Sequence, residues 1–161
     1  MNITLVQGGK EHIEDCITAL TTSALGEKYF PSREKAYNGI IEFVEHGTLL
    51  IARDDRKRFI GFLCYLENGA FHAFPYLHIL AISATKRGKG YGNATMDVFE
   101  KMMFRAKDKI FLVVADFNPR AQHFYLQRGY QAVGTIPDLY RAGIAEHLMM
   151  KIKPDENNGK E

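Results

Sequence analysis

A strongly apolar run, Tyr76-Leu77-His78-Ile79-Leu80-Ala81-Ile82, is followed shortly by Arg87-Gly88-Lys89-Gly90-Tyr91-Gly92 and then by a helical pattern beginning near Asn93. Strand, glycine loop and helix in that order constrain the fold more than any other feature of the chain. Glycines let a backbone turn sharply and come close to a bulky anion. The first turn of the helix offers unpaired N–H groups and the positive end of its dipole, which suits a pyrophosphate. Lys86, Arg87 and Lys89 add positive charge at the same place. The plain alternative is a tight strand-to-helix turn that happens to be rich in glycine. The spacing does not suit a dinucleotide-binding fingerprint, and no Gly-Lys-Ser/Thr closes a P-loop.

The rest of the chain supplies elements to either side. Thr4 and its neighbours from Ile3 to Val6 suggest a first strand, and Ile13, Cys16, Ile17, Leu20 and Ala24 follow helical spacing between Lys10 and Leu25. Ser32 is a suitable N-cap for a second helix through Tyr37, Ile40, Ile41 and Val44, which Gly47 ends. Thr48–Arg53 and Phe59–Leu66 form a hairpin across the charged turn at 54–57. Ala94, Val98, Phe99, Met102 and Met103 mark the helix after the glycines, and Ile110–Ala115 is apolar throughout, as in a strand buried on both faces. Asn118–Arg128 reads as a helix closed by Gly129, followed by strands at Tyr130–Ile136 and Ile144–Ile152. The element order implies an α/β (α+β) domain with a mixed sheet and helices on both faces.

A second block repeats the message of the first. Asn118-Pro119-Arg120-Ala121-Gln122-His123-Phe124-Tyr125-Leu126-Gln127-Arg128-Gly129-Tyr130 lies one helix and one strand beyond the glycines. The segment from Leu80 to Gly92 resembles the acetyl-CoA signature of the GNAT N-acetyltransferase superfamily, Arg/Gln-x-x-Gly-x-Gly/Ala after a strand. The later block is similar to the same family's Asn…Ala…Tyr…Gly-aromatic motif. The resemblance implies the GNAT fold, a mixed sheet of six to seven strands with about four helices. It implies one domain over residues 1–153, with 154–161 as a polar tail expected to be disordered.

The resemblance also implies the activity: an N-acetyltransferase moving an acetyl group from acetyl-CoA to a primary amine by direct attack. Backbone groups of Leu80, Ala81 and Ile82 would hold the acetyl and pantetheine parts, and Arg87, Gly88, Lys89, Gly90, Tyr91, Gly92 and Asn93 the pyrophosphate. Asn118 matches an asparagine that contacts the cofactor, although an N-cap explains it equally well. Tyr125 matches the tyrosine that protonates the departing thiolate; its ordinary pKa of about 10 keeps it a donor at neutral pH. Some relatives carry a glutamate where this chain has Val113. The base is therefore assigned to His78, on a strand similar to that of the arylalkylamine acetyltransferases, against the alternative of a hydrogen-bonded core histidine. Tyr76 would line the same channel.

Other features limit the partners. At 161 residues with 46% hydrophobic and 25% charged positions, the chain is an ordinary globular domain, and its net charge of +2 gives no reason to expect nucleic acid. Cys16 and Cys64 lack metal-ligand spacing and lie outside both motifs, so they are read as reduced thiols, no metal is expected, and a cysteine nucleophile is disfavoured. No apolar run is long enough to span a membrane, and a cytoplasmic location is expected. The acceptor is left as a small amine or a protein N-terminus or lysine, its contacts coming from 26–33, 68–76 and 137–143. A homodimer is left open. His12, His46 and His123 read as surface residues, Glu146 and His147 as strand residues with one side chain inward. The competing function is a catalytically weak acyl-CoA-binding regulatory module.

Overall fold

The computed structural model describes residues 1–156. Of the polar tail, Pro154, Asp155 and Glu156 are exposed, and 157–161 lie outside the described residues. Seven strands form one sheet: β1 (Thr4–Gln7), β2 (Leu49–Arg53), β3 (Phe59–Ala70), β4 (Phe74–Ile82), β5 (Lys109–Ala115), β6 (Gln131–Ile136) and β7 (Glu146–Ile152), in the order β1-β2-β3-β4-β5-β7-β6. Among the described residues, five α-helices pack around it: α1 (Ile13–Thr21), α2 (Ala24–Tyr29), α3 (Arg33–His46), α4 (Tyr91–Met103) and α5 (Pro119–Gln127). This is the mixed α+β sheet that the element order implied. Among the described residues, no helix is long and apolar enough to cross a membrane.

Periodicity decides which face each element covers. Ile13, Cys16, Ile17 and Leu20 of α1 and Ala36, Ile40 and Phe43 of α3 bury against Ile51, Phe62, Cys64 and Ile79 on one face of the sheet. Met96 and Phe99 of α4 and Tyr125 of α5 bury against Leu63, Leu77, Ile110, Leu112 and Val114 on the other. Each fully buried Leu, Ile or Phe contributes roughly 1.5–3 kcal/mol, so the two half-cores dominate the stability of the sheet. The caps of α3 fall where the sequence puts them. Ser32 Oγ accepts from Lys35 N at 3.2 Å, and Gly47 ends the helix in the left-handed region at φ 73°.

Two segments differ from the expectation. The helix expected over Lys10–Leu25 breaks after Thr21, because Ser23 Oγ donates to Leu20 O at 2.6 Å and accepts from Gly26 N at 3.0 Å, capping a separate α2. The expected loop at 68–76 is instead the end of a long hairpin. Leu66 pairs with Tyr76 and Ala70 with Phe74, around a turn in which Phe71 and His72 both have positive φ, 56° and 59°.

One irregularity shapes the function. Cys64 pairs with Ile79 but Tyr65 with Leu77, so His78 is an extra residue in β4, a β-bulge. On the other side, β4 and β5 are the sheet's parallel neighbours, in register at the single pair Tyr76↔Phe111. Beyond that pair the two strands diverge, and the sheet opens.

Candidate active site

The opening between β4 and β5 is a cleft of about 380 Å³. Leu77, His78, Ile79 and Leu80 form one wall; Leu112, Val113, Val114 and Ala115 form the other. Parallel strands normally exchange evenly spaced hydrogen bonds. Here β4 and β5 are in register only at Tyr76↔Phe111, and residues of both strands beyond that pair line the cleft, which leaves room for an extended ligand between them. Residues 80 and 79 thus line the cleft directly, while Ala81 is buried in the α1–α3 half-core and Ile82 closes the strand.

The glycine loop lies at the end of β4. Gly88 and Gly90 have φ of 72° and 88°, the left-handed region that favours glycine, and Gly90 is the N-cap of α4. Among the described residues, no atom beyond Gly88 and its two chain neighbours lies within 4 Å of where a Gly88 Cβ would stand. The first turn of α4 carries no acidic residue, so nothing offsets its positive end. Lys89 Nζ donates to Thr85 O at 3.1 Å, and Lys86 stands 6.0 Å over the Tyr91 ring. Gly92 is the close-packing position, its missing Cβ 3.6 Å from the Phe124 ring of α5.

Arg87 does more than the motif suggests. Its guanidinium donates to Ile82 O at 2.9 Å, Thr22 O at 2.8 Å and Ala19 O at 3.0 Å. It thereby caps the C-terminus of α1 and ties it to the end of β4, so its side chain is already engaged within the fold. Asn93 is similarly engaged: its Oδ1 accepts from Arg128 Nη1 at 2.9 Å. Asn118 caps α5, its Oδ1 accepting from Ala121 N at 3.2 Å, and also lines the cleft.

Tyr125 and His78 reach the same cleft from opposite sides. Tyr125 packs edge-on against Phe124 and Tyr130, with ring centroids 5.0 and 5.3 Å away. Burial raises the pKa of its hydroxyl; Arg128 opposes this and Glu100 adds to it. The hydroxyl is therefore held protonated at neutral pH. His78 lies tilted on Phe43 at 5.3 Å and near Tyr76 at 5.9 Å. Burial lowers its pKa, with Glu42 opposing, so the imidazole is held neutral and able to accept a proton. Cys16 and Cys64 are fully buried in the α1–α3 half-core, and burial raises both thiols. Neither can present a thiolate to the cleft.

The far end of the cleft is built by α2 and by the β6–β7 connection: Leu25, Tyr29, Phe30, Tyr140, Arg141 and Glu146. Tyr29 O–H donates to Glu146 Oε1 at 2.5 Å. The Tyr76 and Tyr140 hydroxyls are 3.4 Å apart. Residues 26–33 and 137–143 thus meet at this end, whereas most of the 68–76 segment extends away in the hairpin. Of the two strand residues singled out, Glu146 is the inward one. His147 pairs instead with Thr135 Oγ1 at 3.1 Å. Sequence alone marks Glu146 as one of two strand residues with a side chain inward and puts Tyr29 in the 26–33 acceptor segment, but it does not pair the two.

A sheet split between parallel strands, with a glycine loop at the head of a helix beside the split, defines the class: an acyl-group transferase. The chain belongs to the acetyltransferase (GNAT) family, whose sequence model matches residues 14–130. No curated protein is significantly similar to it in sequence. Solved structures share the fold at low identity. A GNAT-family acetyltransferase from Bacillus cereus superimposes with a TM-score of 0.74 at 18% identity, covering 96% of this chain and 100% of that one. Ard1 from Thermoplasma volcanium gives 0.74 at 18% identity, covering 96% and 100%. The spermidine/spermine N-acetyltransferase SpeG from Vibrio cholerae, in mutant forms, gives 0.70 at 18%, covering 94% and 95%.

Proposed function

We propose that this chain transfers an acetyl group from acetyl-CoA to a primary amine by direct attack, with Tyr125 as the acid and His78 as the base. The observation that carries it is the placement of both side chains on one cleft whose walls are the unpaired edges of β4 and β5. The residues present fit acetyl-CoA. Strand edges at Leu80–Ile82 and Leu112–Ala115 suit the amides of the pantetheine arm. The Gly88–Gly92 backbone and the uncompensated start of α4 suit the pyrophosphate. Bound there, acetyl-CoA supplies an activated thioester.

The chain's own residues handle the protons. An amine bound as its ammonium must lose one proton before it can attack, and the neutral His78 ring is the acceptor. As the nitrogen–carbon bond forms and the carbon–sulfur bond breaks, Tyr125 gives its proton to the sulfur, and the second proton shed by the nitrogen restores it. No acyl-enzyme is required, in keeping with two cysteines buried away from the cleft.

Mixing the protein with acetyl-CoA and a panel of small amines and peptides tests this by the release of free thiol. Turnover well above the protein-free rate is expected. Tight acetyl-CoA binding with no turnover on any acceptor would replace the enzyme by an acyl-CoA-binding regulatory module.

A further inference from the structure

Glu146 opens β7 opposite Ala115 of β5 and is 2% exposed, yet it lines the cleft. Among the described residues, the one hydrogen bond to its carboxylate comes from Tyr29 O–H, 117 residues away in the chain. Among the described residues it takes part in no salt bridge. A carboxylate removed from water with a single neutral donor is costly unless something completes it. Here the free side of the carboxylate lies along the cleft, where a ligand can supply the missing charge.

The walls around it are suited to a cation. Tyr29 meets Phe117 edge-on at 5.5 Å and Tyr140 at 5.7 Å, and Leu25 and Phe30 complete an apolar lining. Aromatic faces attract ammonium groups, and more strongly where water is excluded. Arg141 stands over the Tyr29 ring at 5.2 Å and lines the same end, so a second positive charge on the ligand meets repulsion there.

We propose that Glu146, oriented by Tyr29, is the group that binds the acceptor's ammonium, and that the acceptor is a primary amine with one positive charge on an apolar body. This rests on the acetyl-transfer function proposed above and names its acceptor class. Glu146 and His78 then divide the work: the carboxylate places the nitrogen, and the imidazole takes its proton.

The test compares wild type with Glu146→Gln, Glu146→Asp and Tyr29→Phe, using 2-phenylethylamine and spermidine as acceptors and thiol release as the readout. Hydrogen bonds to charged groups of this kind predict that Glu146→Gln raises the KM for 2-phenylethylamine roughly 10- to 100-fold. Its calorimetric affinity for acetyl-CoA is expected to stay near wild type. Glu146→Asp keeps the charge and is expected to recover part of the loss; Tyr29→Phe, which removes one hydroxyl, is expected to show a smaller rise. The neutral analogue 2-phenylethanol is expected to inhibit wild type and Glu146→Gln equally. An unchanged KM in folded Glu146→Gln and Tyr29→Phe proteins would overturn the assignment of Glu146 while leaving acetyl transfer standing. A lower KM for spermidine than for 2-phenylethylamine would overturn the acceptor class. Wild-type protein that binds acetyl-CoA and turns over on other members of the amine and peptide panel, but not on 2-phenylethylamine, would likewise overturn the acceptor class; no turnover on any of them would remove the function beneath it.

Discussion

Two glutamates are buried among the described residues, and their surroundings differ completely. Glu100 of α4, 5% exposed, accepts from Arg128 Nη2 at 2.9 Å, from Lys151 Nζ at 2.6 Å and from Tyr130 O–H at 3.1 Å. Arg128 goes on to Asp97 at 2.8 Å and to Asn93. The network pins α4 to the end of α5 and to β7, which keeps the glycine loop and Tyr125 in fixed relation. Glu146, equally buried, has one neutral donor and an open cleft. A charge satisfied on every side holds a fold together; a charge left short is available to a ligand.

The largest effect should come from breaking the satisfied site. Glu100→Ala leaves Arg128 and Lys151 buried without their shared partner, and losing one side of such a pair typically costs about 3–5 kcal/mol. Urea unfolding of the variant measures this loss, and a change under about 1 kcal/mol, the scale of an exposed pair, would mean that the network carries little stability.

Tyr125→Phe acts next to the paired site but on the chemistry. The ring packing survives and a proton donor disappears, so kcat is expected to fall by roughly 10²-fold with little change in KM. Steady-state rates of thiol release separate this from a packing role, for which kcat would hold. Cofactor binding has its own break point: Gly90→Val forces a β-branched side chain to φ 88° and into the phosphate approach. Calorimetry is expected to show acetyl-CoA affinity greatly weakened.

His78→Gln is expected to remove the acidic limb of the pH–rate profile, which in wild type lies below the ordinary histidine value of 6.5 because burial lowers the pKa. Part of the rate should return at high pH, where free amine is plentiful. A profile identical to wild type in a stable variant would make His78 a structural bulge residue.

The smallest effect has the opposite sign to the first. Burial, with Asp116 adding, raises the pKa of Glu146 above its ordinary 4.5, while Tyr29 and His147 pull it down. Tyr76, Tyr140 and Arg141 border the same space. Between the ordinary and the raised value the folded chain holds a proton that the unfolded chain has lost, so this group's contribution to stability falls as pH rises through that window. Above it the ionised carboxylate is a net cost. Glu146→Gln is therefore expected to raise the unfolding midpoint at pH 7 and to leave it nearly unchanged at pH 4. A drop at pH 7 would place Glu146 with Glu100, as a support of the fold.

What the sequence discloses follows the range of the interaction. The glycine loop, the caps Ser32 and Gly47 and the apolar strand Ile110–Ala115 are local, and each lies where its residues require. The α1–α2 break was hidden because Leu25 continues the apolar spacing across Ser23. The β3–β4 hairpin was hidden because Glu67, Asn68 and Gly69 look like loop although the ladder runs past them. Motif positions also conceal second partners: Arg87 and Asn93 stand at positions the motif assigns to a cofactor, but their side chains hold α1 and Arg128. The Tyr29–Glu146 contact joins residues far apart in the chain, so only the closed sheet brings the two together.

The central claim is that acetyl-CoA occupies the split between β4 and β5, with its phosphates at the start of α4. Amide hydrogen exchange with and without acetyl-CoA tests it on the unaltered chain. Protection is expected to rise at 79–93 and 112–118 and to stay unchanged at 33–46, on a helix that contributes no residue to the cleft lining. Saturating acetyl-CoA that left both segments exchanging at their original rates would contradict it.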